Sequence, residues 1–249
     1  MDERYQLHLG DCLEVLKSLP DGSVDAVITD PPYSSGGAFR SDRMQTPNQK
    51  YMSTQNAGLR PDFSGDNRDQ RAYGYWCALW LGECLRIARV GAPIVMFTDW
   101  RQLPVTCDVI QAGGWVWRGI AIWEKPSCRP AMGRFSNACE YMVWGSNGAM
   151  PQSEDVGCLP GAYRVSLPQA DKHHVTGKPT ALMEQVVRIV VPGSTILDPF
   201  MGSGTTGVAA LRHGCNFVGV ERGGNYFEIA KRRIEAEARQ RTLDFGGQA

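Results

Sequence analysis

The chain has 249 residues, 43% of them hydrophobic and 21% charged, with 26 Lys plus Arg against 26 Asp plus Glu and a formal net charge of zero. These proportions are those of a globular protein with a full core. The charge balance excludes a uniformly basic coat, so any surface that meets a polyanion must be local. Leu13, Val15, Leu16 and Leu19 predict a short helix after Asp11, and the apolar run Val24 to Thr29 predicts a buried strand. From Ser34 to Arg71 the pattern breaks into Ser, Gly, Asn, Gln and Arg, a loop long enough to be functional. Tyr73 to Arg89 reads as a helix, Ile94 to Thr98 as a buried strand, and Trp115 to Trp123 and Glu140 to Trp144 as two more strands.

The stretch from Gly145 to His174 has the weakest periodicity and is the candidate for an inserted recognition region. A helix begins at Thr180, with Leu182, Val186, Ile189 and Val190 on one face, and Pro192-Gly193 ends it. Thr195-Ile196-Leu197 is then a strand, Thr205 to His213 a helix closed by Gly214, and Phe217 to Val220 a strand. Tyr226 to about Arg239 is a charged helix, and a frayed tail follows from Gly246. Strands alternating with helices predict an α/β sheet. The N-terminus lacks the basic start and apolar core of a signal peptide, and no apolar run nears membrane-spanning length, so a cytoplasmic protein with no membrane partner is expected. The eight cysteines are scattered, with no C-x-x-C, and reduced thiols are expected rather than disulfides or zinc. His173-His174 is a poor metal pair, since adjacent side chains diverge, and no metal is expected.

Two segments carry chemistry. Asp30-Pro31-Pro32-Tyr33 directly follows the buried strand, which the prolines stop because neither donates to a ladder. The product is a rigid loop at a strand's C-terminal edge, where open α/β sheets bind ligands. There the Asp30 carboxylate, the Pro31 carbonyl and the Tyr33 ring can converge on a planar amine. The second segment, Asp198-Pro199-Phe200-Met201-Gly202-Ser203-Gly204-Thr205-Thr206, leaves one strand and opens a helix, and its glycines are expected to let a ligand approach the backbone. It is not a phosphate loop, because G-x-x-x-x-G-K-[ST] is absent. Asp198 would repel phosphate and attract a sulfonium or ammonium group. Glu221, ending the next strand, stands where nucleotide-binding folds place an acid on ribose hydroxyls.

Together, Asp30-Pro31-Pro32-Tyr33 and the Phe200-Met201-Gly202-Ser203-Gly204 turn resemble the S-adenosylmethionine-dependent amino-methyltransferases of DNA. The catalytic loop precedes the cofactor turn, as in the β group of that family. The resemblance runs from about Tyr5 to Glu237 and is weakest over Ser34 to Arg71 and Gly145 to His174. It implies a single Rossmann-like methyltransferase domain over 1–249, with a mixed, mostly parallel sheet, helices on both faces and a target-recognition insertion at 145–174. The loop 34–72 would then contact DNA or a second subunit of a homodimer. S-adenosylmethionine is the implied cofactor, held by Asp11, Cys12, Asp30, Lys178, Asp198, Pro199, Phe200, Gly202, Ser203, Gly204, Thr205 and Glu221. Gly10-Asp11-Cys12 resembles the segment that meets the cofactor's adenine, although a helix N-cap is an equal reading of Asp11. His174 to Pro179 resembles H-P-T-x-K-P with Val175 in place of the first proline, and brings Lys178 near the methionine moiety.

The implied reaction uses Asp30, Pro31, Pro32 and Tyr33. Hydrogen bonds from the amine to the Asp30 carboxylate and the Pro31 carbonyl would hold its lone pair toward the methyl donor. The base would be flipped out of duplex DNA and stacked on Tyr33. Arg40, Arg43, Lys50, Arg118, Lys125, Arg129 and Arg134 are candidate DNA contacts, each also readable as a solvated charge. In this family Asp-Pro-Pro-Tyr goes mostly with N6-adenine and Ser-Pro-Pro-Tyr with N4-cytosine. Adenine is therefore the expected target, with cytosine as the alternative. RNA or protein-amide methylation and a silent binding module are more remote.

Overall fold

In the computed structural model, which describes residues 4–33, 68–126, 128, 132–166 and 177–246, the apolar runs pair into one eight-stranded sheet. In chain order the elements are β1 (Tyr5–Leu9), α1 (Cys12–Ser18), β2 (Ala26–Thr29), α2 (Gln70–Ile87), β3 (Pro93–Thr98), α3 (Leu103–Ala112), β4 (Val116–Glu124) and β5 (Cys139–Ser146). There follow β6 (Ala162–Arg164), α4 (Thr180–Val186) with a 3-10 turn at Val187–Ile189, β7 (Thr195–Asp198), α5 (Thr205–Arg212), β8 (Asn216–Glu221) and α6 (Gly224–Gly246). The strand order is β1-β8-β7-β2-β3-β5-β4-β6. Neighbours are parallel except where β5 runs against β3 and β4.

Both faces of the central strands are covered, which explains why β2 and β3 read as continuous apolar runs rather than alternating ones. Ala26 and Ile28 point into one core with Phe97, Ile196, Phe217 and residues of α4, α5 and α6 such as Leu182, Ala209 and Ile234. Val27 points into the other, with Met96, Leu197 and the Leu16, Trp80 and Ile110 side chains of α1, α2 and α3. The helices start on side-chain caps where the sequence offers them. Asp11 accepts from the Leu13 amide at α1, and Asp69 accepts from the Arg71 and Ala72 amides at α2.

The structure contains three elements the periodicity did not announce. β1 alternates Tyr5, Leu7 and Leu9 with Gln6 and His8 and is only half covered at its edge of the sheet. α3 opens with Leu103-Pro104, the proline sitting in the first turn where its missing amide costs nothing. β6 is three residues long. It lies in the stretch expected as a recognition insertion, yet pairs with β4 and extends the sheet, and Trp123 Nε1 donates to the Val165 carbonyl at 2.8 Å. Residues 167–176 of that stretch, 34–67 of the long loop and the tail beyond Gly246 lie outside the described residues.

Candidate active site

From β7 the chain passes through α5 to β8 on one side, and from β2 through α2 to β3 on the other. β7 and β2 are nonetheless neighbours, so the order reverses between them, and the space beyond their C-terminal ends is the crevice position at which open α/β sheets bind ligands. Asp198 ends β7 and Asp30 follows β2, one on each side of that crevice. The same edge gathers Asp11 after β1, Glu221 at the end of β8 and Asp99 after β3. β5, being antiparallel, brings its starting residues there instead, and so contributes Glu140.

The Asp30 carboxylate is bonded at both oxygens. Oδ1 accepts from Tyr33 Oη at 2.5 Å, and Oδ2 accepts from Lys178 Nζ at 2.5 Å. Lys178 is 5% exposed, sits just before α4, and faces the Tyr33 and Phe97 rings at 5.3 Å each. Its ammonium also lies 3.3 Å from Glu140 Oε2, while Glu140 Oε1 accepts from Lys125 Nζ at 3.1 Å. Burial raises the Asp30 pKa, and it outweighs the lowering by Lys178, with the Glu140 charge adding to the rise. For Glu140 burial also pushes upward, but the Lys178 and Lys125 ammonium groups overcome it and the pKa falls. Burial would lower Lys178, yet Asp30 and Glu140 hold it above the ordinary value, so it stays charged.

Across the crevice the glycine turn is organised by Asp198. Its Oδ1 accepts from Thr29 Oγ1 at 2.8 Å and the Phe200 amide at 3.0 Å, and its Oδ2 from Thr206 Oγ1 at 2.7 Å. Burial nevertheless raises its pKa to about 6, against the lowering by those bonds. Glu221 accepts from the Gly202 amide at 3.0 Å and the Gly223 amide at 2.6 Å, and burial raises its pKa too. Gly204 has φ of 80°, and a Cβ there would lie 3.0 Å from Ala230 Cα in α6. Its missing side chain thus lets α6 pack closely against the turn. Ser203 and Thr205 are buried and both receive Arg233, through the Ser203 carbonyl at 2.6 Å and Thr205 Oγ1 at 3.2 Å. Phe200 packs on Trp76 and Trp80, at 5.3 and 5.1 Å between ring centroids, and the Arg68 guanidinium covers Trp76 at 4.1 Å.

Asp30, Pro31, Pro32, Tyr33, Lys178, Asp198, Pro199, Phe200, Gly202 and Glu221 are therefore brought to one edge, with Asp11 and Cys12 at the start of α1 beside Glu221. The Gly10 amide donates to the Glu221 carbonyl at 2.9 Å. Asp11 caps its helix, which is the plainer of its two readings, and keeps a partly exposed carboxylate 3.7 Å from Arg222. Cys12 is buried and burial pushes its thiol up to about 12, so it can offer contact but not a thiolate.

The candidate DNA contacts are not all at this edge. Arg118 lies near the opposite end of β4 and donates to Ser146 Oγ at 2.8 Å. Lys125 is at the edge but engaged with Glu140, and Arg134 is exposed in the β4–β5 connection. Arg40, Arg43, Lys50 and Arg129 fall outside the described residues, as does His174. Among the described residues no group of three metal-ligating side chains occurs. Glu140 was missed by sequence reasoning. The available signal was a hairpin with Lys125 leaving one strand and Glu140 opening the next.

A family model described as DNA methylase (N6_N4_Mtase) matches residues 24–156 and 158–232. The chain is 30% identical over 257 residues to the type II methyltransferase M.HinfI of Haemophilus influenzae, covering 90% of this chain and 67% of the relative. Its fold is similar to that of the M1.HpyAVI–SAM complex, with a TM-score of 0.66, 24% identity and coverage of 92% of this chain and 98% of that one. It is also similar to the PvuII cytosine-N4-specific DNA methyltransferase, with a TM-score of 0.70, 19% identity and coverage of 95% and 92%.

Proposed function

The chain belongs to the N6/N4 family of DNA methylases, and from that premise we propose that it transfers a methyl group from S-adenosylmethionine to the N6 amine of an adenine turned out of duplex DNA. The observation that carries this reading is Asp30, a half-buried carboxylate of raised pKa at the strand-order reversal, with Tyr33 beside it.

The residues present fit the cofactor. Glu221, Asp11 and Asp30 form an acidic lining suited to a cationic ligand, with Asp198 buried behind the turn, and Phe200 with Trp76 provides an aromatic wall. Glu221 and Asp11 would take ribose and adenine-side contacts, Phe200 the adenine face, and the Gly202 backbone the close approach. When bound, the cofactor supplies a methyl group on a sulfonium centre. The chain's own contribution is orientation and proton acceptance. An exocyclic amine has its lone pair delocalised into the ring, and acceptors at Asp30 and the Pro31 carbonyl, bonded to its two hydrogens, would aim that pair out of the ring plane. As the nitrogen gains its methyl group it becomes cationic, and Asp30 accepts the released proton. A raised pKa makes Asp30 a better proton acceptor than an exposed carboxylate. Tyr33 contributes its ring to the stacked base and its hydroxyl to the orientation of Asp30.

Adenine is preferred because the tetrapeptide begins with Asp rather than Ser. Expression in a methylation-free host, followed by nucleoside mass spectrometry and single-molecule sequencing, is expected to return N6-methyladenine in a defined sequence context. N4-methylcytosine in its place would overturn the choice of base, and folded protein that leaves no modified base would overturn methyl transfer to DNA.

A further inference from the structure

The surroundings of Lys178 exceed what a cofactor contact requires. Its buried ammonium is shared unequally between two carboxylates, 2.5 Å from Asp30 Oδ2 and 3.3 Å from Glu140 Oε2. An ammonium fixed on Asp30 opposes the reaction proposed above. It occupies an acceptor oxygen, and it adds positive charge beside a nitrogen that must itself become cationic. Glu140 offsets both effects. The Asp30–Lys178 pair alone is neutral, whereas with Glu140 ionised the three groups carry a net negative charge. Glu140 Oε2 is buried and has acceptor capacity to spare. Lys125, on the other oxygen of Glu140, has a side chain 31% exposed and is the more screened of the two cations.

We propose that Glu140 is a positioning residue for methyl transfer: its carboxylate takes over the Lys178 ammonium as the target amine enters, which releases Asp30 Oδ2 to accept an amine hydrogen and offsets the Lys178 charge beside the reacting nitrogen. This rests on the reading of Asp30 as the amine's acceptor. The groups that face Asp30 are Lys178 ahead of α4, Glu140 from β5, Tyr33 from its own loop and Asp198 at the end of β7, with Asp99 after β3 acting on Tyr33.

The test is a pair of variants with opposite signs. Glu140→Gln removes a negative neighbour of Asp30, so the Asp30 pKa falls and the acidic limb of the single-turnover rate moves to lower pH. Lys125→Met removes a positive charge, so the limb moves to higher pH. Glu140→Gln is expected to lower kcat by about tenfold or more while the KM for DNA and for S-adenosylmethionine changes by less than about threefold. Glu140→Asp should regain part of that loss. The same opposite shifts should appear in the 13Cγ titration of Asp30 in the ligand-free protein, which needs no substrate. A Glu140→Gln rate within about twofold of wild type, or shifts of the same sign in the two variants, would overturn the proposal. Should Glu140→Gln fail to fold, the direction of the Lys125→Met shift decides. Wild-type protein that modifies no base would sink the reaction assigned to the site, whereas unmoved Asp30 titrations with an active wild type would sink the role of Glu140 alone.

Discussion

Asp30 and Asp198 stand at the ends of adjacent parallel strands, both with raised pKa, yet they are bonded by different chemistry. Asp198 is closed by two threonine hydroxyls and a backbone amide, all neutral donors that lock the glycine turn onto β2. Asp30 is met by a phenol and an ammonium, and its carboxylate remains 26% exposed to the crevice. Equivalent places in a fold thus differ in whether the donors are fixed neutral dipoles, as at Asp198, or an ammonium shared with a second carboxylate, as at Asp30, and it is the second kind that the proposed reaction uses.

The sharpest way to break this comparison is Asp30→Ala. Methyl transfer should fall on the order of 10³-fold. Thermal stability should fall less than in Asp198→Ala, because Lys178 keeps Glu140 and the site is open enough for the Tyr33 hydroxyl to reach water. Near-normal transfer by this variant would remove Asp30 from the mechanism. Asp198→Ala should behave in the opposite manner, losing about 3 kcal/mol in denaturant unfolding because two buried hydroxyls lose their acceptor, with activity declining as the folded fraction declines.

A pH series separates the same two residues more finely. The folded-state pKa of Asp198, about 6 against an ordinary 3.8, means the folded form holds its proton more tightly than the unfolded chain. Stability attached to Asp198 is therefore full below pH 4 and is lost as pH rises to about 6. Wild type should lose on the order of 2 to 3 kcal/mol relative to Asp198→Asn over that interval. A flat difference between the two proteins would show that the three bonds, not burial, govern the carboxyl. At Tyr33 the effects are smaller. Tyr33→Ala should lower kcat/KM by the loss of stacking, about 1 to 3 kcal/mol, and Tyr33→Phe by less, through loss of the bond to Asp30 alone. Equal losses in the two would shift Tyr33's main role from stacking to its hydroxyl.

The positions of the two turns after β2 and β7 were legible because each breaks a continuous apolar run with residues that only a special backbone tolerates. Asp30 with its two prolines and Asp198 with its glycines mark strand ends that burial patterns alone would leave vague. The relation between the turns was not legible in residue spacing, since the Thr29–Asp198 bond joins positions 169 apart in sequence. What a Cβ at Gly204 would strike was not legible for a similar reason: it is Ala230, in a helix whose approach no local pattern records. Glu140 and Lys178 became a pair only through the antiparallel course of β5, which delivers the start of a strand to the edge where its neighbours end.

That 169-residue separation has a consequence for how the protein is made. On the ribosome, β2 leaves with four buried residues and gains its first partner when β3 follows. Its other edge, the one β7 will occupy, stays open until the last third of the chain has been synthesised. At about 5 to 20 residues per second the wait between Thr29 and Asp198 is roughly 8 to 34 s. The nascent chain thus carries the Asp30 loop long before it carries the glycine turn, and the β7-facing edge of a fully buried strand waits for its partner throughout that interval.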